Sequence, residues 1–562
     1  VEQKRPWWRR LLRGIFISIF ILVLLIGVLS VYVISVSHIN PPKVADTHAL
    51  QLERTQIDTN CYTIGNNWFR KSKSGLYELY VEGAPFERGV IYGKLTTELV
   101  KKQEDIFTGQ FQKLIPSNIY LHFLKYFIGW FNRNLGESVP EEYKEEIYGV
   151  SFSASDDYGY IGTKFERIMN YHAAHDIGHA LQSMALVGCT SFATWDGKSA
   201  DSSLIVGRNF DFYVGDKFAE DKIVAFYHPK DGYRFMMVTW AGFTGVVSGM
   251  NENGLTVTIN ADKTSIPSGA ATPVSLVARE ILQYAKNIDE AYTIAKRRKM
   301  FVSESFLIGS AADNKAVIIQ KTPDSIDVYD AGTDFITCTN HFQGNNLGKL
   351  KSNEEQKAQS ASAYRYQRLN ELIAEKGPNT PQKTVDILRD RMGINNADIG
   401  IGNEKAINQM IAHHSIVFEP KKRLVWVSTQ PWQLGQFVCY DLNKIFAMHG
   451  LQHNTELCDS TLNIAPDPFL QTTQFKDFVQ FRKLKQDLQD GGTADMQQFV
   501  ALNPNFYHTY VIAGDHEFKT GNYAQAKQYY QTALTKVIAT KQEENKINKM
   551  IAKCDKKLDL KP

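Results

Sequence analysis

Cysteine is scarce in this chain of 562 residues, and what there is lies scattered. The six cysteines (Cys61, Cys189, Cys338, Cys439, Cys458 and Cys554) contain no C-x-x-C pair. That argues against a structural zinc site and a dense disulfide framework, and leaves room for one or two bridges. Charge of one sign is missing as well: 63 Lys and Arg stand against 60 Asp and Glu, a net of +3. No long basic stripe with interleaved aromatics runs through the chain, so no nucleic-acid partner is expected. An H-E-x-x-H motif is absent too. His175 and His179, in the run from Tyr171 to His179 that also holds His172, are i, i+4 on one helix face. The glutamate that should follow the first histidine is missing and no third ligand is evident. No metal and no cofactor are expected. With 43% hydrophobic and 22% charged residues, the rest is the composition of an ordinary globular protein of two to four domains.

The N-terminus holds one long apolar run and no later stretch matches it. Lys4-Arg5-Pro6-Trp7-Trp8-Arg9-Arg10 and Arg13 precede uncharged residues from Gly14 to about Val36. Such a run can span a bilayer as a helix. The basic flank keeps the N-terminus cytoplasmic, and Trp7 and Trp8 suit the interface. A cleaved signal peptide competes, with Ser35-Val36-Ser37 as a weak cut site. The expectation is an uncleaved, single-pass membrane anchor. Everything after residue 40 then lies outside the cytoplasm, in the periplasm if the source is bacterial.

Punctuation divides the remainder. Residues 1–40 are basic tail and anchor. Residues 41–188 read as mainly helical after a tether, with a strand at Leu76–Val81 and three glycines (Gly83, Gly89, Gly93) around a turn. Residues 189–450 alternate strand runs and a helix pair (273–284, 288–298), the order of a layered α+β sandwich. Residues 451–505 read as a linker. Residues 506–562 resemble one tetratricopeptide-type repeat, through Ala513-Gly514, Gly521-Asn522-Tyr523, Ala526 and Ala533-Leu534. One unit is below the usual minimum for a solenoid, so it is expected to dock on the main domain, with a protein partner at that end as the alternative.

Chemistry concentrates at Gly188-Cys189-Thr190-Ser191-Phe192 and Gly207-Arg208-Asn209-Phe210-Asp211-Phe212. Strand runs follow Cys189 and lead into Arg208, with a turn at Asp196-Gly197-Lys198. A hairpin would bring the cysteine beside the Arg/Asp pair. A thiol beside a guanidinium has a stabilised thiolate, the nucleophilic form. A lone cysteine is more often simple core, so the pairing carries the argument.

These two motifs, with Gly249-Met250-Asn251-Glu252-Asn253-Gly254-Leu255, Thr339-Asn340-His341-Phe342 and Tyr364-Arg365-Tyr366-Gln367-Arg368-Leu369, resemble the choloylglycine hydrolase and penicillin acyltransferase (peptidase C45) branch of the N-terminal-nucleophile (Ntn) hydrolases. The resemblance covers roughly residues 75–445. It implies a four-layer αββα fold and self-cleavage at Gly188-Cys189, which exposes Cys189 as a new N-terminus. Glycine tolerates a distorted backbone, so the peptide can be strained toward attack. A free α-amine, with a pKa of about 7.7–8, is a suitable base near neutrality. By the same resemblance Cys189 is the nucleophile, Arg208 lowers its pKa, Asp211 orients the α-ammonium, Asn260 and Asn340 serve the oxyanion, and Arg365 completes the polar network. His413-His414 is read as core packing.

The expected activity is amide hydrolysis or acyl transfer on a linear N-acyl amide through an acyl-thioester. The competing readings are an inactive envelope scaffold that binds a partner through its C-terminal helices, and a zinc hydrolase built on the histidine helix.

Overall fold

The computed structural model describes residues 7–114, 126, 128–173, 176, 188–263, 271–300 and 302–559. Among the described residues seventeen strands follow in chain order: β1 Thr55–Asp58, β2 Cys61–Ile64, β3 Asn67–Lys71, β4 Tyr77–Gly83, β5 Thr190–Asp196, β6 Ser202–Phe210, β7 Ile223–Pro229, β8 Phe235–Thr239, β9 Ser248–Asn251, β10 Leu255–Asp262, β11 Ser303–Ser310, β12 Lys315–Lys321, β13 Ile326–Tyr329, β14 Phe335–Cys338, β15 His414–Glu419, β16 Leu424–Ser428 and β17 Phe437–Asp441. Eleven form one sheet, in the order β1-β2-β3-β4-β7-β8-β9-β10-β11-β12-β13, and six form another, β14-β5-β6-β15-β16-β17.

Side-chain alternation explains the layers. Val224, Phe226, Leu307 and Ile318 from the large sheet meet Val206, Ile416, Phe418 and Val427 from the small one in a shared core. The opposite face of the large sheet, with Ala225, Tyr227, Val257 and Phe306, packs on the helices Pro85–Leu95, Glu141–Ser151 and Val274–Tyr284. The outer face of the small sheet, with Phe192, Ile205 and Val417, packs on Ser362–Glu375 and Pro381–Leu388. The expected mixed α+β class is met.

Three stretches differ from the sequence reading. The tether before residue 75 contains β1, β2 and β3, joined by turns at Asn60 (φ 54) and Gly65 (φ 57). The segment ahead of Cys189 therefore supplies four strands to the large sheet, and β4 pairs parallel with β7 from Tyr77↔Ile223 to Gly83↔Pro229. Secondly, Gly83-to-Gly93 is a turn only at Gly83 (φ 111); from Pro85 onward it is helix. Gly89 and Gly93 are small because the helix Glu141–Ser151 crosses there: a Cβ on Gly89 would sit 2.0 Å from the Glu146 carbonyl oxygen. Thirdly, the linker holds the helix Thr473–Gln489.

That helix and Tyr507–Lys519, Tyr523–Leu534 and Lys541–Asp559 form a C-terminal unit around Phe481, Phe499, Ala513, Ala526 and Tyr530. It docks on the sandwich, as Ile401, Met410 and Leu434 share its core. The side chain of Asn503 pairs with both backbone groups of Ile401, and Asn403 donates to the Val537 carbonyl at 2.8 Å.

The N-terminal helix Trp7–Val36 is long and apolar enough to cross a membrane, and its spanning window is not buried against the rest of the protein. All six cysteines are free.

Candidate active site

Strands β5 and β6 form the expected hairpin, with Thr190 opposite Asn209 and Ser191 opposite Arg208. This register brings the Cys189 end of one strand to the Arg208–Asp211 end of the other. An Arg208 Nη donates to Cys189 Sγ at 3.5 Å. The guanidinium is fixed by the Val247 carbonyl at 2.7 Å, the Ile259 carbonyl at 2.5 Å and the Ser248 hydroxyl. His414 Nε2 meets that same hydroxyl at 2.8 Å and its Nδ1 lies 2.9 Å from His413 Nδ1. The histidine pair read as plain core is thus buried, but it also buttresses the arginine.

Arg365 joins the remaining residues. One Nη donates to the Cys189 carbonyl (2.6 Å) and to Thr190 Oγ1 (2.8 Å), and the other to Asn340 Oδ1 (2.7 Å). Asn340 Nδ2 reaches the Ala261 carbonyl at 2.9 Å. Asn260 accepts from Ser191 Oγ at 2.9 Å and donates to the carbonyls of Cys338 (3.2 Å) and Thr339 (3.1 Å). The Gly188 N–H donates to the Asp211 carbonyl at 2.9 Å. Of the residues singled out from sequence, Arg208, Asp211 and Arg365 contact Gly188 or Cys189 directly, Asn340 is joined to Cys189 through Arg365, and Asn260 lies one residue further along β5, on Ser191.

Burial dominates the electrostatics. It raises the Cys189 thiol pKa, and the Arg208 charge opposes it. Burial lifts Asp211 to about 7, against the pull of Arg365 and Arg208. A buried, unbalanced carboxylate is costly, so such a group holds its proton toward neutrality.

Three participants carry no motif. Gln409 Nε2 donates to the Gly188 carbonyl at 2.6 Å and to Asp211 Oδ2 at 3.3 Å. Glu304 and Asp262 are buried near the thiols of Cys189 and Cys338. Neither Glu304 carboxyl oxygen has a hydrogen-bond partner. Burial raises the pKa of both carboxyls well above the usual range, and at Glu304 the neighbouring Asp176 and Asp262 add to it. Glu304 opposes Ala261 across the β10–β11 ladder, a pairing that only a known register reveals.

Of the histidine helix, His172 is described and His175 and His179 lie outside the described residues. His172 is buried, its Nδ1 2.8 Å from the Ile168 carbonyl, and its Nε2 accepts from the Thr244 N–H at 2.9 Å. Burial pushes its pKa down to about 4, so it is neutral. Among the described residues no cluster of His, Cys, Asp and Glu is arranged to hold a metal ion.

Residues 195–431 match the family described as acyl-coenzyme A:6-aminopenicillanic acid acyl-transferase. The match begins six positions after Cys189. An uncharacterised protein of Archaeoglobus fulgidus is 28% identical over 257 residues, 42% of this chain and 41% of that protein. Protein dcd1B of Dictyostelium discoideum is 21% identical over 276 residues, 46% of this chain and 52% of its own. The chain thus spans about two fifths to one half of these relatives. Similar solved structures include the Caenorhabditis elegans N-acylethanolamine-hydrolyzing acid amidase ortholog (20% identity, 42% of this chain and 93% of that one, TM-score 0.30). A mutant form of the conjugated bile acid hydrolase of Clostridium perfringens is another (14%, 46% and 93%, TM-score 0.31).

Proposed function

We propose that this protein is a self-processing N-terminal-cysteine amidohydrolase or acyltransferase with an αββα Ntn-hydrolase core. One observation carries the reading. At the peptide Gly188-Cys189 a thiol stands 3.5 Å from a guanidinium, and Gln409 links the Gly188 carbonyl to the Asp211 carboxyl, all buried. A core cysteine with only a packing role needs neither charge.

In turnover, the freed α-amine of Cys189 takes the thiol proton and Sγ adds to the acyl carbonyl carbon. The tetrahedral oxyanion collapses with loss of the amine, which leaves with the proton from the α-ammonium. The acyl group is then a thioester on Sγ. Water or an incoming amine, deprotonated by the α-amine, adds to it and expels the sulfur, which regains its proton. Arg208 stabilises the sulfur anion, Asp211 holds the α-ammonium, Asn340 and Asn260 supply amide dipoles, and Arg365 fixes Asn340. The substrate is a linear N-acyl amide.

The helix Trp7–Val36 anchors the chain, with the catalytic part beyond the cytoplasm. The C-terminal helical unit, docked through Ile401 and Met410, is a structural part of the enzyme before it is a partner site.

Intact mass and N-terminal sequencing of the wild type and Cys189→Ala test this. The wild type should yield fragments that meet at Gly188-Cys189, and the variant one continuous polypeptide. A fully active wild type whose Cys189 nitrogen is still in peptide linkage would end the proposal.

A further inference from the structure

We infer that Gln409 is a catalytic residue for self-cleavage, donating its amide hydrogen to the Gly188 carbonyl oxygen as that oxygen becomes the oxyanion. The inference rests on the self-processing reading and assigns a residue that no motif marked.

The geometry makes the argument. Gln409 is buried, and its Nε2 is 2.6 Å from the Gly188 carbonyl oxygen. That is just below the usual N–H···O range of about 2.7–3.2 Å, a close contact. Its second neighbour, Asp211 Oδ2 at 3.3 Å, also accepts. A backbone carbonyl oxygen can only accept, so the side chain must present nitrogen to it and not oxygen. The donor therefore already touches the scissile carbonyl in the uncut chain.

The same contact explains why glycine precedes the cysteine. A Cβ at position 188 would fall 2.7 Å from both Nε2 and Oε1 of Gln409. Any side chain there would drive the amide off the carbonyl. Gly188 is also held from its other end, its N–H on the Asp211 carbonyl at 2.9 Å. The scissile residue is thus pinned at both backbone groups while Arg208 holds the attacking sulfur.

The amide is itself positioned. Asn408 ties its backbone N–H to the Asp390 carbonyl (2.8 Å) and its side-chain oxygen to the Met410 N–H (3.0 Å), and Met410 takes a left-handed φ of 58°. The Met410 carbonyl accepts from Arg482 of the C-terminal unit at 3.2 Å, and Arg482 also pairs with Asp216.

The step balances. The Cys189 thiol loses its proton, and Sγ bonds to the Gly188 carbonyl carbon. The carbonyl electrons move to the oxygen, against Gln409. They return as the C–N bond breaks, and the Cys189 nitrogen leaves as an amine bearing the proton the thiol gave up. Water then cleaves the thioester to a Gly188 carboxylic acid and a free thiol.

The test follows first-order appearance of the fragment that starts at Cys189 in purified full-length protein, with melting temperature measured alongside. Loss of one oxyanion donor typically slows a reaction by about 100- to 1000-fold. Gln409→Met should slow cleavage by that factor at every pH. Gln409→Glu keeps the shape but donates only when protonated, so its rate should recover as pH falls, a recovery the methionine variant lacks. Wild-type speed in Gln409→Met overturns the inference. So does slow cleavage in both variants with no acid recovery in Gln409→Glu, which assigns the glutamine to packing. Should Gln409→Met fail to fold, the isosteric glutamate variant decides through its pH profile. A wild type that never parts at this bond brings down the self-processing reading together with the inference. A wild type that parts while Gln409→Met keeps pace brings down the inference alone.

Discussion

Asp211 is where the cost of building this site can be measured. Its carboxyl is raised from 3.8 to about 7, chiefly by burial. Between those values the folded chain binds more protons than the unfolded one. The group's contribution to stability is therefore full below about pH 4 and is lost as pH rises through about 7. Asp211→Asn in the uncut Cys189→Ala chain removes that dependence. Its stability relative to the parent should improve from pH 4 to pH 7.5 by up to about 4 kcal/mol. Unfolding midpoints at the two pH values provide the check, and a constant difference would refute it. Asp211 was legible in the sequence because a two-strand hairpin carries it back to Cys189. Gln409 and Glu304 were not. The first sits in a loop with no periodicity, and the second reaches the site only through the register of two strands more than forty positions apart.

Among elements, the crossing of Pro85–Leu95 and Glu141–Ser151 is the tightest test of packing. Phe86, Val90 and Ile91 bury one helix, and Tyr143, Ile147 and Val150 the other, with glycine where backbone meets backbone. Arg88 and Arg279 close around Glu146 in the same interface, all buried. Gly89→Ala should force the helices apart, at roughly 1–3 kcal/mol for overpacking and more if the Glu146 pairing is lost. Thermal melting of the uncut chain reads it directly, and an unchanged midpoint would show that the crossing has slack. Sequence patterns exposed most of the strands after Cys189, where turns such as Asn251-Glu252-Asn253-Gly254 separate apolar runs. They hid β1 to β3, which are four or five residues long, the first wholly exposed. They also gave the glycines of the first helix a turn-like look, since spacing alone does not tell glycine needed for backbone freedom from glycine needed for close approach.

At the scale of the molecule, the proposed cut after position 188 would divide the chain without dividing the fold. Strands β1–β4 precede it and lie in the large sheet with β7–β13, which follow it. The parallel β4–β7 ladder and the Glu146–Arg279 pair both cross the division. Fragments 1–188 and 189–562 should therefore co-elute on size exclusion in non-denaturing detergent and separate only in strong denaturant. Elution as two species without denaturant would contradict the shared sheet. The layered core could be read from the alternation of strands and helices, but this shared sheet could not, because a parallel ladder between strands so distant in sequence leaves no local trace.

The docking of the C-terminal helices has a consequence for timing. A growing polypeptide leaves the ribosome from its N-terminus, so Cys189 is made long before Asn503, Val537 and Arg482. Those late residues grip the loop that aims an amide at the bond to be broken. On the self-processing reading, scission would then wait until these residues are made, and a product stopped before them would keep the Cys189 nitrogen in its peptide bond. On that reading, the helices after Thr472 gate the step that arms the enzyme.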